Sequence, residues 1–380
     1  MICAPPVKGW QVSSRNESVL LCVLRDPSKV QVYGLKEWDL LLRQARRADL
    51  LATVSGLIHD TGCDEYIPAN VHRHFDAHMT LVQANQTAIK WEVAQIYRAI
   101  EGVSEPPILL KGAAYVLAGL PVAKGRIFND IDILVPKAEI EKVEQALFLV
   151  GWSSGHLDAY DQKYYRTWMH ELPPLQHMRR GTVVDVHHTI LPETARLKPN
   201  VKKLMEAAVS ISIRDDFSVR ILAPVDMVLH SATHLFHEGE FDHGLRDLFD
   251  LHRLLIQFSN DPCFWESLIM RAEEIDLVQP LFYATRYTHK ILRTPVPNYV
   301  LERLQAISSV GQLGWLMDFC YERTLISDHV TCRKRFTGLA AYLLFIRSHY
   351  LRMPLRLLIP HLLRKTLKRE TEKPDEANLI

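Results

Sequence analysis

Apolar residues recur at helical spacing over the first hundred positions. Trp38, Leu41, Leu42, Ala45 and Ala48 form one stripe, and Ile89, Val93, Ile96 and Ile100 form another after the break at Ile67-Pro68. Pro106-Pro107 closes this helical region, because proline cannot continue a helix and restricts the residue before it. Beyond it the rhythm shortens. Ile108-Leu109-Leu110, Ile131–Val135 and Thr182–His187 read as short strands, with Lys163–Trp168 a further candidate. Ala113–Gly119 and the segment carrying Ile140, Val143, Ala146 and Leu147 read as helices between them. From 201 the helical period returns, clearest in Met227–Phe236, Leu245–Leu255, Trp265–Ala272 and Pro280–Leu292, the last opened by a proline suited to a first helical position. The pattern predicts an N-terminal helical region over 1–104, an α/β unit over 105–200, a C-terminal helical region over 201–369 and a polar, frayed tail over 370–380.

A chain of 380 residues suits two or three packed units, and 48% hydrophobic with 23% charged residues is the balance of a soluble protein with a real core. Its 45 basic and 44 acidic side chains give no global electrostatic case for gripping long nucleic acid. Cys3, Cys22, Cys63, Cys263, Cys320 and Cys332 are scattered without CxxC spacing, so neither a zinc ribbon nor a disulfide framework is signalled. No basic segment leads into an apolar run at the start, and no run of about 18 uncharged apolar residues occurs. A cytoplasmic protein with reduced thiols is expected.

Inside the α/β unit, Asn129-Asp130-Ile131-Asp132-Ile133-Leu134-Val135 sets two carboxylates one residue apart in an apolar strand. Residues i and i+2 of a strand project to one face roughly 7 Å apart, so Asp130 and Asp132 share a spot. Like charges that close repel, and burial raises the cost. A divalent cation removes the conflict. An Asp-x-Asp pair alone is weak, since roughly one is expected by chance in a chain this long, but flanking Ile, Leu and Val argue against a solvated loop. Asp185, within Val183-Val184-Asp185-Val186-His187, is a third lone carboxylate in a β-branched run. Three such acids can hold Mg²⁺ or Mn²⁺ shared with substrate phosphates, and paired ions can clamp the attacking and leaving oxygens of an in-line displacement. Lys111-Gly112 offers a cation and a close backbone approach, and Arg126 a fork for phosphate oxygens. A turn glycine and two solvated cations are the plainer alternatives at these positions.

Leu109-Leu110-Lys111-Gly112-Ala113, then Arg126 to Val135, then Val184-Asp185-Val186-His187 resemble, in this order, a family of uncharacterised nucleotidyltransferases, a branch of the DNA-polymerase-β-like superfamily. The resemblance spans roughly 65–260. It implies an α+β fold, a small mixed sheet flanked by N- and C-terminal helical regions, with magnesium bound by Asp130, Asp132 and Asp185. It further implies transfer of NMP from an NTP such as ATP to a hydroxyl acceptor, with release of pyrophosphate. Lys111, Gly112 and Arg126 are then expected to bind nucleotide, and the acceptor is a small molecule, a sugar, a protein side chain or an RNA end. The wider superfamily usually carries Gly-Ser or Gly-Gly before the paired acids, where this chain has Lys111-Gly112. A nucleotide- or partner-binding module on the same fold, without transfer, is the alternative.

Further along, His230, His234 and His237 precede Arg246-Asp247 and Asp250. Histidines one helical turn apart can bind a transition metal, but no glutamate completes an HExxH pattern, and interhelical hydrogen bonding or a wall of the acceptor pocket is favoured. His187 is expected on the acceptor side with His230 and His234. His170, Pro173, Leu175 and His177 resemble a family segment before the third acid, and shape the acceptor side or form a structural loop. Gly151-Trp152-Ser153-Ser154-Gly155 matches a nucleophile elbow literally, yet it ends a helix where the elbow must follow a strand. Leu343–Arg369 mixes leucines with seven basic side chains and no acid. It reads first as a terminal helix packed on the core, and second as a face for anionic lipid or RNA.

Overall fold

Short aliphatic and β-branched runs assemble into one seven-stranded sheet, and longer amphipathic segments cover it, giving an α+β fold. The computed structural model describes residues 18–155, 169–214, 217–237, 239, 241–308, 314–354 and 356. Helices α1 (Val19–Arg25), α2 (Leu35–Arg47), α3 (Leu51–Asp60) and α4 (Ala69–Ile100) lead. The sheet region follows with β1 (Ile108–Leu109), α5 (Lys111–Leu117), β2 (Asp130–Leu134), α6 (Ile140–Leu149), β3 (Trp152–Ser154), β4 (Leu175–His177), β5 (Val183–His187), α7 (Val201–Glu206), β6 (Val209–Arg214) and β7 (Phe217–Ile221). Last come α8 (Pro224–His237), α9 (Gly244–Phe258), α10 (Phe264–Glu274), α11 (Val278–Leu292), α12 (Asn298–Ile307), α13 (Gly314–Thr324) and α14 (Thr337–Arg352).

The strand order is β3-β4-β5-β2-β1-β7-β6. Only the pairs β2/β5 and β1/β7 are parallel, so the sheet is mixed. On β2 and β5, Ile131, Ile133, Val184 and Val186 fill one face and are at most 1% exposed. Burying each is worth about 1.5–3 kcal/mol. A slip of one residue would turn these aliphatics out and the aspartates in, so hydrophobic burial fixes the acidic register.

Side chains from the leading helices pin the loop that enters β2. Asn85 accepts from the Phe128 N–H (3.0 Å) and donates to its carbonyl (2.9 Å). Gln86 donates to the Ala123 carbonyl, and Thr53 to that of Gly125. Helix α8 packs on α9, α10 and α11. Its Phe236 meets Tyr283, Tyr287 and Tyr321 with ring centroids between 5.2 and 6.0 Å apart, which locks the helix in place.

Two departures from the sequence pattern have physical causes. The stretch after 200 is not wholly helical, because β6 and β7 join the sheet. Their apolar residues alternate with Ser210, Ser212 and Ser218 on a half-exposed hairpin, and no apolar run marks them. Helix α11 starts at Val278, so Pro280 lies inside its first turn, where a missing N–H still breaks no intrahelical bond. Gly151, with φ of 99°, turns α6 into β3, the reverse of the order a nucleophile elbow needs. The strand candidate Lys163–Trp168, residues 357–369 and the tail 370–380 lie outside the described residues. Among the described residues no helix is long and apolar enough to cross a membrane.

Gly125 has φ of 76°, and a Cβ there would sit 2.4 Å from the Thr53 backbone nitrogen. Gly125→Ala joins left-handed strain to a clash with backbone, and is expected to cost about 2–4 kcal/mol of folding stability. Urea denaturation checks it. An unchanged midpoint would refute this tight docking of the loop on α3.

Candidate active site

Parallel pairing of β2 with β5 sets Asp132 directly opposite Asp185, with Asp130 two residues earlier on the same face. The three expected acids therefore converge. Asp130 begins the strand in an exposed position, whereas Asp132 is 5% exposed. Because β1 runs antiparallel to β2, its end lies beside the start of β2, and Lys111 Nζ comes within 3.7 Å of Asp132 Oδ1. Lys111 itself has φ of 39°, an uncommon backbone state for a residue with a Cβ. Gly112 is required by packing, since a Cβ there would lie 2.3 Å from the Phe128 ring.

His187, two residues after Asp185, donates from Nε2 to Asp132 Oδ1 at 2.9 Å. Its Nδ1 faces Glu171 Oε2 at 3.2 Å. Glu171 was not foreseen from sequence. It sits outside any apolar run, ahead of Pro173-Pro174, and reaches the site through a backbone bridge to His187. On α8, burial, then Lys111 and His234, hold His230 well below the ordinary histidine range, so it is neutral at pH 7. His234 also lies near enough to act electrostatically on Asp132. His237 has no such link: among the described residues both ring nitrogens are buried without hydrogen-bond partners, and burial with Arg347 and Arg352 pushes it down to about 3. His177 packs edge-on against Trp152, a structural position.

The acids carry unequal loads. Burial works against ionising Asp132, but Lys111 and the His187 hydrogen bond outweigh it and hold this carboxyl well below the usual range. Surrounding protein and the Asp132 charge push Asp130 up. Burial, then Asp132 and Glu171, push Asp185 up to about 7. Asp185 Oδ1 is buried without a hydrogen-bond partner among the described residues. An unpartnered carboxylate oxygen beside two further carboxylates suits a hard divalent cation, which prefers oxygen ligands.

The sequence pattern of the family described as uncharacterised nucleotidyltransferase matches residues 35–293. The chain belongs to that family. No curated protein matches it significantly. The match runs from the start of α2 to the end of α11, wider than the motifs alone suggest, and takes in the leading helices, the sheet and α8 to α11. Nucleotidyl transfer is thereby supported as the general class of activity for this nucleotidyltransferase family member.

Arg126 is held differently from a free phosphate fork. Its Nε donates to Asp250 Oδ1 at 2.9 Å and its Nη2 to Oδ2 at 2.9 Å, with Asp247 Oδ1 3.9 Å away. Arg126 is 4% exposed. Burial nevertheless pushes Asp250 up to about 6, against the pull of Arg126. Arg126→Met would leave that carboxyl buried without its partner, and is expected to cost about 3–5 kcal/mol by chemical denaturation. A variant as stable as the parent would free Arg126 for a purely substrate-facing role.

For Asp185, the folded protein keeps the proton up to about pH 7, whereas an unfolded aspartate releases it near 3.9. The native state thus binds the extra proton in that window, and stability falls as pH rises through it. Asp185→Asn removes this loss. Without added metal, it should gain on the parent by on the order of 1–3 kcal/mol between about pH 4 and about pH 8. Parallel pH profiles for the two proteins would contradict the assignment.

Proposed function

We propose that the protein is a magnesium-dependent nucleotidyltransferase that moves NMP from an NTP to a hydroxyl acceptor and releases pyrophosphate. The observation that carries this reading is the register in which Asp132 faces Asp185 with Asp130 on the same side. Asp130, Asp132 and Asp185 would hold Mg²⁺ or Mn²⁺. Bound there, the metal supplies charge neutralisation on the triphosphate and a lowered pKa for the acceptor hydroxyl.

Chain groups account for the remaining work. Asp185, placed opposite Asp132, would take the hydroxyl proton as the acceptor oxygen forms its bond to the α-phosphorus. The bond from the α-phosphorus to the pyrophosphate oxygen then breaks. Lys111, beside Asp132, would orient the β- and γ-phosphates together with the Gly112 backbone, whose missing side chain makes room for Phe128. Arg126 acts through its hold on Asp250, or reaches phosphate after releasing it. His187, His230 and His234 would bound the acceptor side, where a neutral His230 can hydrogen-bond a hydroxyl without repelling a cation.

One observation favours a second reading. Arg126 is already neutralised by Asp250 and Lys111 lies against Asp132, so the site could bind Mg·NTP without performing transfer.

Incubating the protein with α-labelled NTPs, Mg²⁺ or Mn²⁺ and a lysate as acceptor source separates the two. Labelled product is expected with the parent, and about 10²–10⁴-fold less with Asp185→Asn. Equal labelling by parent, Asp185→Asn and Asp130→Asn/Asp132→Asn would sink the catalytic reading. Tight Mg·NTP binding by calorimetry without pyrophosphate release would favour the second.

A further inference from the structure

His170, Glu171 and His187 bring one donor atom each within 4.8 Å of the other two. Glu171 Oε2 lies 3.2 Å from His187 Nδ1 and 3.7 Å from His170 Nε2. Bonds of about 2.0–2.2 Å at tetrahedral angles separate neighbouring ligand atoms by about 3.4 Å, close to both separations from Glu171, and the two imidazoles stand within 4.8 Å of each other. We propose that these three residues form a binding site for a divalent transition-metal ion of the zinc type, next to the aspartates and distinct from them.

The backbone holds the ligands in advance. Glu171 bridges to His187, the Leu172 N–H donates to the Val186 carbonyl (2.9 Å), and the His188 N–H to that of His170 (2.9 Å). All three ligands thus stand on two paired segments, one of them β5, and no rearrangement is needed to gather them. His187 Nε2 is held by Asp132, so Nδ1 is the ring nitrogen turned toward Glu171. In the metal-free protein a proton on Nδ1 bridges the two, and a metal ion would take its place. A carboxylate behind a ligating histidine is also the usual outer partner of such sites, fixing the ring and raising its basicity. Two imidazoles select zinc-type ions over magnesium, which favours the all-oxygen aspartates. Three protein ligands leave a fourth position for water or a substrate group. The site goes beyond the transfer reading and does not depend on it.

Chelator-stripped full-length protein titrated with Zn²⁺ by calorimetry, and with Co²⁺ by visible absorption, tests the proposal. Saturable binding of a single equivalent is expected, weakened at least about tenfold by His170→Gln and by Glu171→Gln, and retained in Asp130→Asn and Asp185→Asn. Circular dichroism confirms that each variant folds. Should the His170 and Glu171 variants fail to fold, the Co²⁺ spectrum of the parent decides, since intense tetrahedral bands support the site and weak octahedral ones overturn it. Absence of saturable Zn²⁺ binding, or binding lost only on removing the aspartates, also overturns it; His187 is then simply an ion-paired bridge between Asp132 and Glu171.

Discussion

The registration of β2 against β5 governs this molecule. Two adjacent strands, each packed through aliphatic side chains on one face, force Asp132 and Asp185 side by side on the other. Hydrophobic burial on the far face is large and cooperative, so it can impose a juxtaposition of carboxylates that electrostatics alone would disperse. The cost is only partly met. Lys111 and His187 serve Asp132, while Asp130 and Asp185 are left with raised proton affinities. Imperfect compensation of this kind is characteristic of sites kept for chemistry.

The remainder of the fold holds that arrangement from both sides. Asn85, Gln86 and Thr53 secure the approach to β2 from the leading helices. Arg126, on the same approach, is anchored by Asp250 of α9. Helix α9 in turn reaches back to the loop after α2, where His243 and Arg246 meet Asp49 at 3.0 and 3.6 Å. Exposed pairs such as these contribute little stability singly. Their value here is geometric, because they join the leading and trailing helices around one strand end.

Much of this was legible in the sequence where periodicity was strong. Long helices such as α2, α4 and α9 announced themselves through 3.6-residue stripes, and three isolated acids in aliphatic runs marked the strands that bring them together. What stayed hidden depended on tertiary pairing. Asp250 is 124 residues from Arg126, so no local pattern links them. Glu171 lies in a segment whose role exists only once it pairs with β5. The β6–β7 hairpin alternates small polar and aliphatic residues on a half-exposed edge, a weak signal beside the helices around it.

Strand β1 is only two residues long, and its flank away from β2 is covered by β7, which enters from residues 217–221. Ile108 and Leu109 are almost completely buried, and Lys111 follows directly. Any attempt to isolate a minimal fragment carrying the aspartates must therefore keep the chain through Ile221. Ending it sooner would bare the backbone of an interior strand, inviting edge-to-edge association and loosening the turn from which the lysine projects.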